Sequence, residues 1–177
     1  MKKNNVQVIY EGNFLRYVKK DNWEFVERHN CSGIVIIVAV TPSKKILFVE
    51  QFRVPVNKRV IEFPAGLVGD ERDTPKESMA IAAKRELLEE TGYKASTIET
   101  MMSGPVSSGS SADIVTMVRA KGLKKMGKGG GKDDEDIAVH EVPMSKVDGW
   151  LKEKSRKGCY VEPKVYTGLY FLSKYNT

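Results

Sequence analysis

The run Arg85-Glu86-Leu87-Leu88-Glu89-Glu90-Thr91-Gly92 brings three carboxylates close together in the chain. On a helix turning about 100° per residue, Glu86, Glu89 and Glu90 fall within an arc of about 100°, so they share one face near the C-terminal end. There they repel one another and oppose the helix dipole, a cost of about 0.3–1 kcal/mol for an exposed anion. A compensating cation is therefore expected. Magnesium suits such a cluster, because it takes hard oxygen ligands at ~2.0–2.1 Å in octahedral geometry and leaves positions for water and substrate phosphate. The competing reading is a solvated acidic face tied to Lys84, Arg85 and Lys94. Met79 and Ala82 on the same side of the helix favour the cation, since the glutamates then adjoin apolar or small residues.

The helix that carries this face has readable ends. Thr74 is expected as its N-cap, Pro75 as its first residue, Glu77 as the partner in a capping box, and Gly92 as its stop. Before it, β-branched and aromatic runs at residues 6–10, 14–19, 23–27 and 34–40, separated by turn signals such as Gly12-Asn13 and Asp21-Asn22, predict an antiparallel meander. Further strands are expected at 46–51, 59–63, 97–102, 114–120 and 137–142, with shorter helices at 145–154 and 164–175. Mixed strands with two or three helices indicate an α+β class, in an α/β/α layered arrangement.

The chain of 177 residues fits one domain able to bury its own core, so residues 1–177 are read as a single unit. An apolar fraction of 41% and a charged fraction of 29% are those of a globular protein, and the apolar run at 34–40 is too short to cross a bilayer. Cys31 and Cys159 make no metal-ligand spacing and no disulfide framework. The basic start is followed by no apolar segment of signal length, and a cytoplasmic protein is expected. Part of the +6 net charge lies where Lys121, Lys124, Lys125, Lys128 and Lys132 surround a glycine run. That stretch reads as a solvated mobile loop, or else as a loop that contacts phosphates.

Arg85-Glu86-Leu87-Leu88-Glu89-Glu90-Thr91-Gly92-Tyr93, with Glu77 upstream, resembles the signature of the Nudix hydrolases. One spacing departs from the family, whose first glycine and first glutamate stand closer than Gly66 and Glu77 do here. Counting forward from Gly66 selects Glu71 or Arg72, counting back from Arg85 selects Glu77, and both alignments stand. Glu50-Gln51-Phe52-Arg53, Glu62-Phe63-Pro64-Ala65-Gly66 and Trp23-Glu24-Phe25-Val26-Glu27-Arg28 are similar to the branch that hydrolyses ADP-ribose and nucleoside diphosphate sugars.

What the resemblance implies is specific. The fold would be a Nudix-type α/β/α sandwich with a mixed sheet and an N-terminal antiparallel strand extension, with residues 1–30 serving dimerisation and 31–177 forming the core. Metal ions, magnesium or manganese, would be held by Glu86, Glu90, Glu89 and the backbone carbonyl of Ala65, with Arg85 among the catalytic residues of the signature. Arg53 and Glu62 would serve the substrate, and Arg28 and Trp23 would reach it from the partner subunit of a homodimer. The water-activating base would be an acid on a late loop, Glu135 or Asp133, with Glu89 as the fallback. The loop 107–111 after the signature would touch the terminal sugar. The implied activity is hydrolysis of the pyrophosphate in ADP-ribose or a nucleotide sugar, to a nucleoside monophosphate and a sugar phosphate. Rival readings are a Nudix enzyme for dinucleoside polyphosphates, nucleotide cofactors or RNA 5′ ends, and a non-catalytic sensor of nucleotide sugars. Neither a membrane nor nucleic acid is expected as a partner.

Overall fold

A computed structural model describes residues 6–70, 76–132 and 135–175. The chain begins with the expected meander, β1 (Val6–Glu11), β2 (Leu15–Lys20) and β3 (Trp23–Arg28), paired antiparallel in that order. Asp21 takes a left-handed conformation (φ 54°) in the turn between β2 and β3. An aspartate tolerates this better than most residues because its short polar side chain bonds locally.

The core is built on two four-stranded sheets. One has the order β7 (Ala65–Val68), β4 (Gly33–Ala39), β10 (Ile114–Lys121), β9 (Thr97–Pro105), with β4 and β10 parallel. The other runs β12 (Ala138–Pro143), β5 (Lys45–Arg53), β6 (Lys58–Glu62), β13 (Tyr160–Val161). Strand β4 is buried on both faces and so is apolar throughout, as a central strand with a parallel neighbour must be. Val35 and Ile37 face a cluster with Ala82, Ala83 and Leu87 of α1 (Met79–Thr91). Ile36 and Val38 face a second cluster with Phe48, Ile61 and Phe63, closed by Leu151 of α2 (Val147–Arg156) and by Val165 and Leu172 of α3 (Pro163–Tyr175). The α/β/α layering follows directly from this alternation.

Three expectations are corrected. Strand β7 is a pairing partner of β4 where the sequence predicts no strand directly after 59–63; its short run carries too little periodicity to stand out. Helix α1 starts at Met79 with Ser78 as its N-cap, whose hydroxyl accepts from the Ile81 amide, and Thr74 and Pro75 lie outside the described residues. Glu77 therefore precedes the helix and closes no capping box; its carboxylate is taken by Arg85. The described part of the lysine-glycine stretch is largely exposed to solvent, as expected, but it is tied down and not a bare loop. Lys124–Lys125 form β11 against β8 (Tyr93–Lys94), and the following glycines lie across the end of α1.

Candidate active site

Helix α1 ends as its sequence dictates. Gly92 adopts φ 74°, and its amide bonds the Leu88 carbonyl. The last turn carries Glu86, Glu89 and Glu90. Met79, Ala82 and Leu87 anchor α1 against the sheet, so Glu86 and Glu90 are pressed against β7 and not turned into solvent. The Ala65 amide donates to Glu90 Oε2 at 3.1 Å. Gly66 is needed where it stands, because a Cβ there would lie 2.0 Å from Cδ of Glu86.

Arg85 organises the cluster. Its guanidinium takes Glu77 in a two-pronged grip, Nε to Oε1 at 3.1 Å and Nη2 to Oε2 at 3.0 Å, and donates to the Leu67 carbonyl at 3.2 Å. Nη1 then reaches Glu86 Oε1 at 2.8 Å and Glu89 Oε2 at 3.4 Å. The bond to Glu77 and the neighbouring carboxylates raise the Arg85 pKa further above its ordinary value. A bidentate arginine fixes direction as well as charge, so Glu77 acts on the cluster through Arg85.

Burial pushes the Glu86 carboxyl up to about 7 despite the Arg85 charge, and the Glu90 carboxyl up to about 8 despite the Ala65 amide. For Glu90 the charges of Glu86 and Glu135 act in the same direction, and Arg53 acts against them. Two desolvated carboxylates so placed have unmet demand for positive charge. A hard divalent cation fits that demand. Among the described residues no group of three or more acidic, histidine or cysteine side chains is already gathered closely enough to hold a metal ion.

The crossing between sheets sets what lies next to the carboxylates. Strand β6 ends at Glu62 in one sheet and β7 begins at Ala65 in the other, so Glu62 and Ala65 line the same cleft. Arg53, at the end of β5, donates to Glu62 Oε2 from Nε at 2.9 Å and from Nη2 at 2.8 Å. Burial raises the Glu62 pKa, with the Arg53 charge opposing. The cleft, about 320 Å³, also contains Arg28, Ser107, Ser111, Asp113, Glu162 and Lys164. Arg28 Nε stands 3.5 Å from Asp113 Oδ2. Lys164 pairs with Glu162 across the cleft wall.

Thus Arg28, Arg53, Glu62 and Ala65 come together within one chain, with Glu86 and Glu90 at the Ala65–Gly66 strand. Trp23 does not join them. It is 62% exposed and lines an adjoining groove with Phe25, Ser108 and Gly109, which shares Ser111 with the cleft. The loop 107–112 is tied to β3 through Val26, whose amide donates to the Ser110 carbonyl and whose carbonyl accepts from the Ala112 amide. Glu135 lies beside the end of α1, its Oε2 accepting from the Lys132 amide at 2.9 Å, and Asp133 is outside the described residues. Asp113, Glu162 and Lys164 carry no local signal. They belong to the cleft only because β10 and the start of α3 end beside it.

A family model described as NUDIX domain matches residues 32–158. A methanol dehydrogenase activator of Bacillus methanolicus is 36% identical over 123 residues, covering 69% of this chain and 64% of that protein. An ADP-ribose pyrophosphatase of Bacillus subtilis (strain 168) is 35% identical over 113 residues, 63% of this chain and 58% of that protein. A GDP-mannose pyrophosphatase of Cronobacter sakazakii is 28% identical over 149 residues, 80% of this chain and 72% of that protein. The chain thus spans under two thirds of the length of both Bacillus proteins. A solved structure of an ADP compounds hydrolase superposes with a TM-score of 0.74 over 97% of this chain and 91% of that one, at 17% identity, and shares the fold. With the family model spanning well over half of its residues and the glutamate helix set over a glycine strand, this chain belongs to the Nudix family.

Proposed function

We propose that this protein is a divalent-metal-dependent hydrolase of the pyrophosphate in ADP-ribose or a nucleoside diphosphate sugar, releasing a nucleoside monophosphate and a sugar phosphate. The observation that carries the reading is the convergence of Glu86 and Glu90 on the Ala65–Gly66 strand beside a cleft containing Arg53 and Arg28. The names of the Bacillus subtilis and Cronobacter relatives support the substrate class.

In this reading Glu86 and Glu90, with Glu89 and the Ala65 carbonyl, hold magnesium, with manganese as substitute. The bound ion supplies charge neutralisation at the phosphates and a more acidic water. Arg85, locked by Glu77, keeps Glu86 and Glu89 aimed. Arg53 is held by Glu62 through Nε and Nη2, which leaves Nη1 to meet a phosphate oxygen in the cleft, and Arg28 adds a second guanidinium. Lys164 and the hydroxyls of Ser107 and Ser111 face the group beyond the pyrophosphate. Glu135 takes the proton of the attacking water, with Asp133 as the alternative base. Trp23 offers an indole face to a base from its separate groove, in its own subunit or a partner's.

The protein acts as a homodimer in the cytoplasm. Val6, Val8, Ile9, Tyr10, Leu15 and Tyr17 are exposed on the N-terminal meander, which gives a second copy an apolar surface to cover. No helix of the described residues is long and apolar enough to cross a membrane. Incubation with ADP-ribose and a panel of nucleotide sugars, with and without magnesium, tests the reading. Magnesium-dependent release of monophosphate is expected, and release of orthophosphate, or no turnover of any of them, would refute it.

A further inference from the structure

The segment after β11 is strapped across the C-terminal end of α1. The Met126 and Gly127 amides donate to the Gly92 carbonyl at 2.7 and 3.1 Å, Gly130 to Glu90 at 2.8 Å, and Gly131 to Glu89 at 3.1 Å. These bonds satisfy carbonyls that a helix end leaves without intrahelical partners. Only glycine permits the approach. Gly129 has φ 69°, and a Cβ on it would stand 2.4 Å from the Thr91 carbonyl carbon and 2.5 Å from the Glu90 oxygen. Gly131 has φ 86°, and its Cβ would meet Glu135 Oε2 at 2.4 Å.

The strap ends at Lys132, which touches two acids of the site. Its ammonium stands 2.8 Å from Glu89 Oε1, and its amide holds Glu135. Glu89 thus has a cation at each oxygen, Arg85 at Oε2 and Lys132 at Oε1. The two differ in how easily they leave. Arg85 is 17% exposed and fixed by Glu77 and Leu67, whereas the Lys132 side chain is 51% exposed on a flexible stem. An ammonium of that kind gives up one carboxylate for water at little cost.

We propose that Lys132 is a built-in counter-cation for Glu89, a positioning residue that competes with the divalent ion for that carboxylate. This rests on the reading of Glu86, Glu89 and Glu90 as the metal site. In the ion-free protein Lys132 relieves the repulsion among the glutamates and keeps Glu89 from folding onto its neighbours. When the ion arrives, Lys132 swings into solvent, while the strap's backbone bonds leave the glutamates where they were.

The test is calorimetric titration of the full chain with Mn2+ alone, which reads binding without turnover. Lys132→Met is expected to tighten Mn2+ binding by about two- to fivefold, the size of a half-exposed ion pair. Lys132→Arg should bind as the wild type does, and in a Glu89→Gln background Lys132→Met should change nothing. Binding by the wild type that is weakened by Glu86→Gln but unaltered or weakened by Lys132→Met overturns the proposal alone. A wild type that binds no Mn2+ overturns the metal reading together with it.

Discussion

Glu86 and Glu90 owe their placement to one glycine as much as to their own helix. Because burial raises both carboxyls, replacing either by glutamine relieves a desolvation cost and leaves the packing unchanged, so the fold should survive. Turnover should not. Glu86→Gln and Glu90→Gln are each expected to lower it by about 100-fold or more at saturating magnesium, and near-normal rates in a folded variant would remove them as ligands. Gly66→Ala should reproduce the Glu86 loss with the glutamate still present. The added methyl meets the far end of that side chain, so the carboxylate moves while the strand stays. A displacement of about 1 Å at a reacting centre costs about 100-fold, and the check is turnover beside a near-wild-type melting curve. For the base, single-turnover rates should fall more for Glu135→Gln than for Asp133→Asn, with substrate affinity little altered in both. The opposite order would give Asp133 the role.

At the scale of elements, the opposite face of β5 carries a polar cluster that the chemistry does not use. Glu50 accepts from Lys154 at 2.6 Å, from Arg59 at 3.0 Å and pairs with His140 at 2.9 Å, joining β5 to β6, β12 and α2. Burial alone would raise its carboxyl, but the bonds from Lys154 and His140 outweigh that and hold it at about 2, below the ordinary 4.5. Burial also lowers the His140 pKa, with the Glu50 bond opposing. A depressed folded-state pKa means that the stability Glu50 contributes is whole above pH 4.5 and is lost as pH falls toward 2. Glu50→Gln should therefore lower the melting temperature at pH 7, and the gap to wild type should close between those two values. A gap independent of pH would show that the cluster contributes shape and not charge. The strap over α1 belongs to this scale too: the glycine run is legible as flexible chain, yet its glycines are there for close approach to a helix end.

For the whole molecule the question is assembly. The meander has apolar side chains exposed along β1 and β2, with Val18 its one fully buried residue, and a two-faced sheet of three strands has little core of its own. Sedimentation is expected to give a homodimer, and removing residues 1–30 should yield a monomer. A wild type that sediments as a fully active monomer would refute this. Arg28 already lines the cleft of its own chain, whereas Trp23 lines a separate groove, so in the proposed dimer the partner's contribution would be to cover the meander and to place Trp23.

The spacing of Glu86, Glu89 and Glu90, the stop at Gly92 and the alternation in β4 are local properties. Helical and strand periodicities express them without reference to the rest of the chain, so the carboxylate face, the layered α+β class and the family resemblance were all legible in the sequence. Helix α1 starts later than its local sequence predicts because Ser78 caps it and Arg85, eight residues on, takes Glu77 away from a capping box. Asp113, Glu162 and Lys164 line the cleft, Trp23 lines an adjoining groove of its own chain, and Lys132 reaches Glu89 through contacts between elements distant in the chain. Such contacts have no period. They depend on where strands end and which backbones touch, and only the packed tertiary structure decides that.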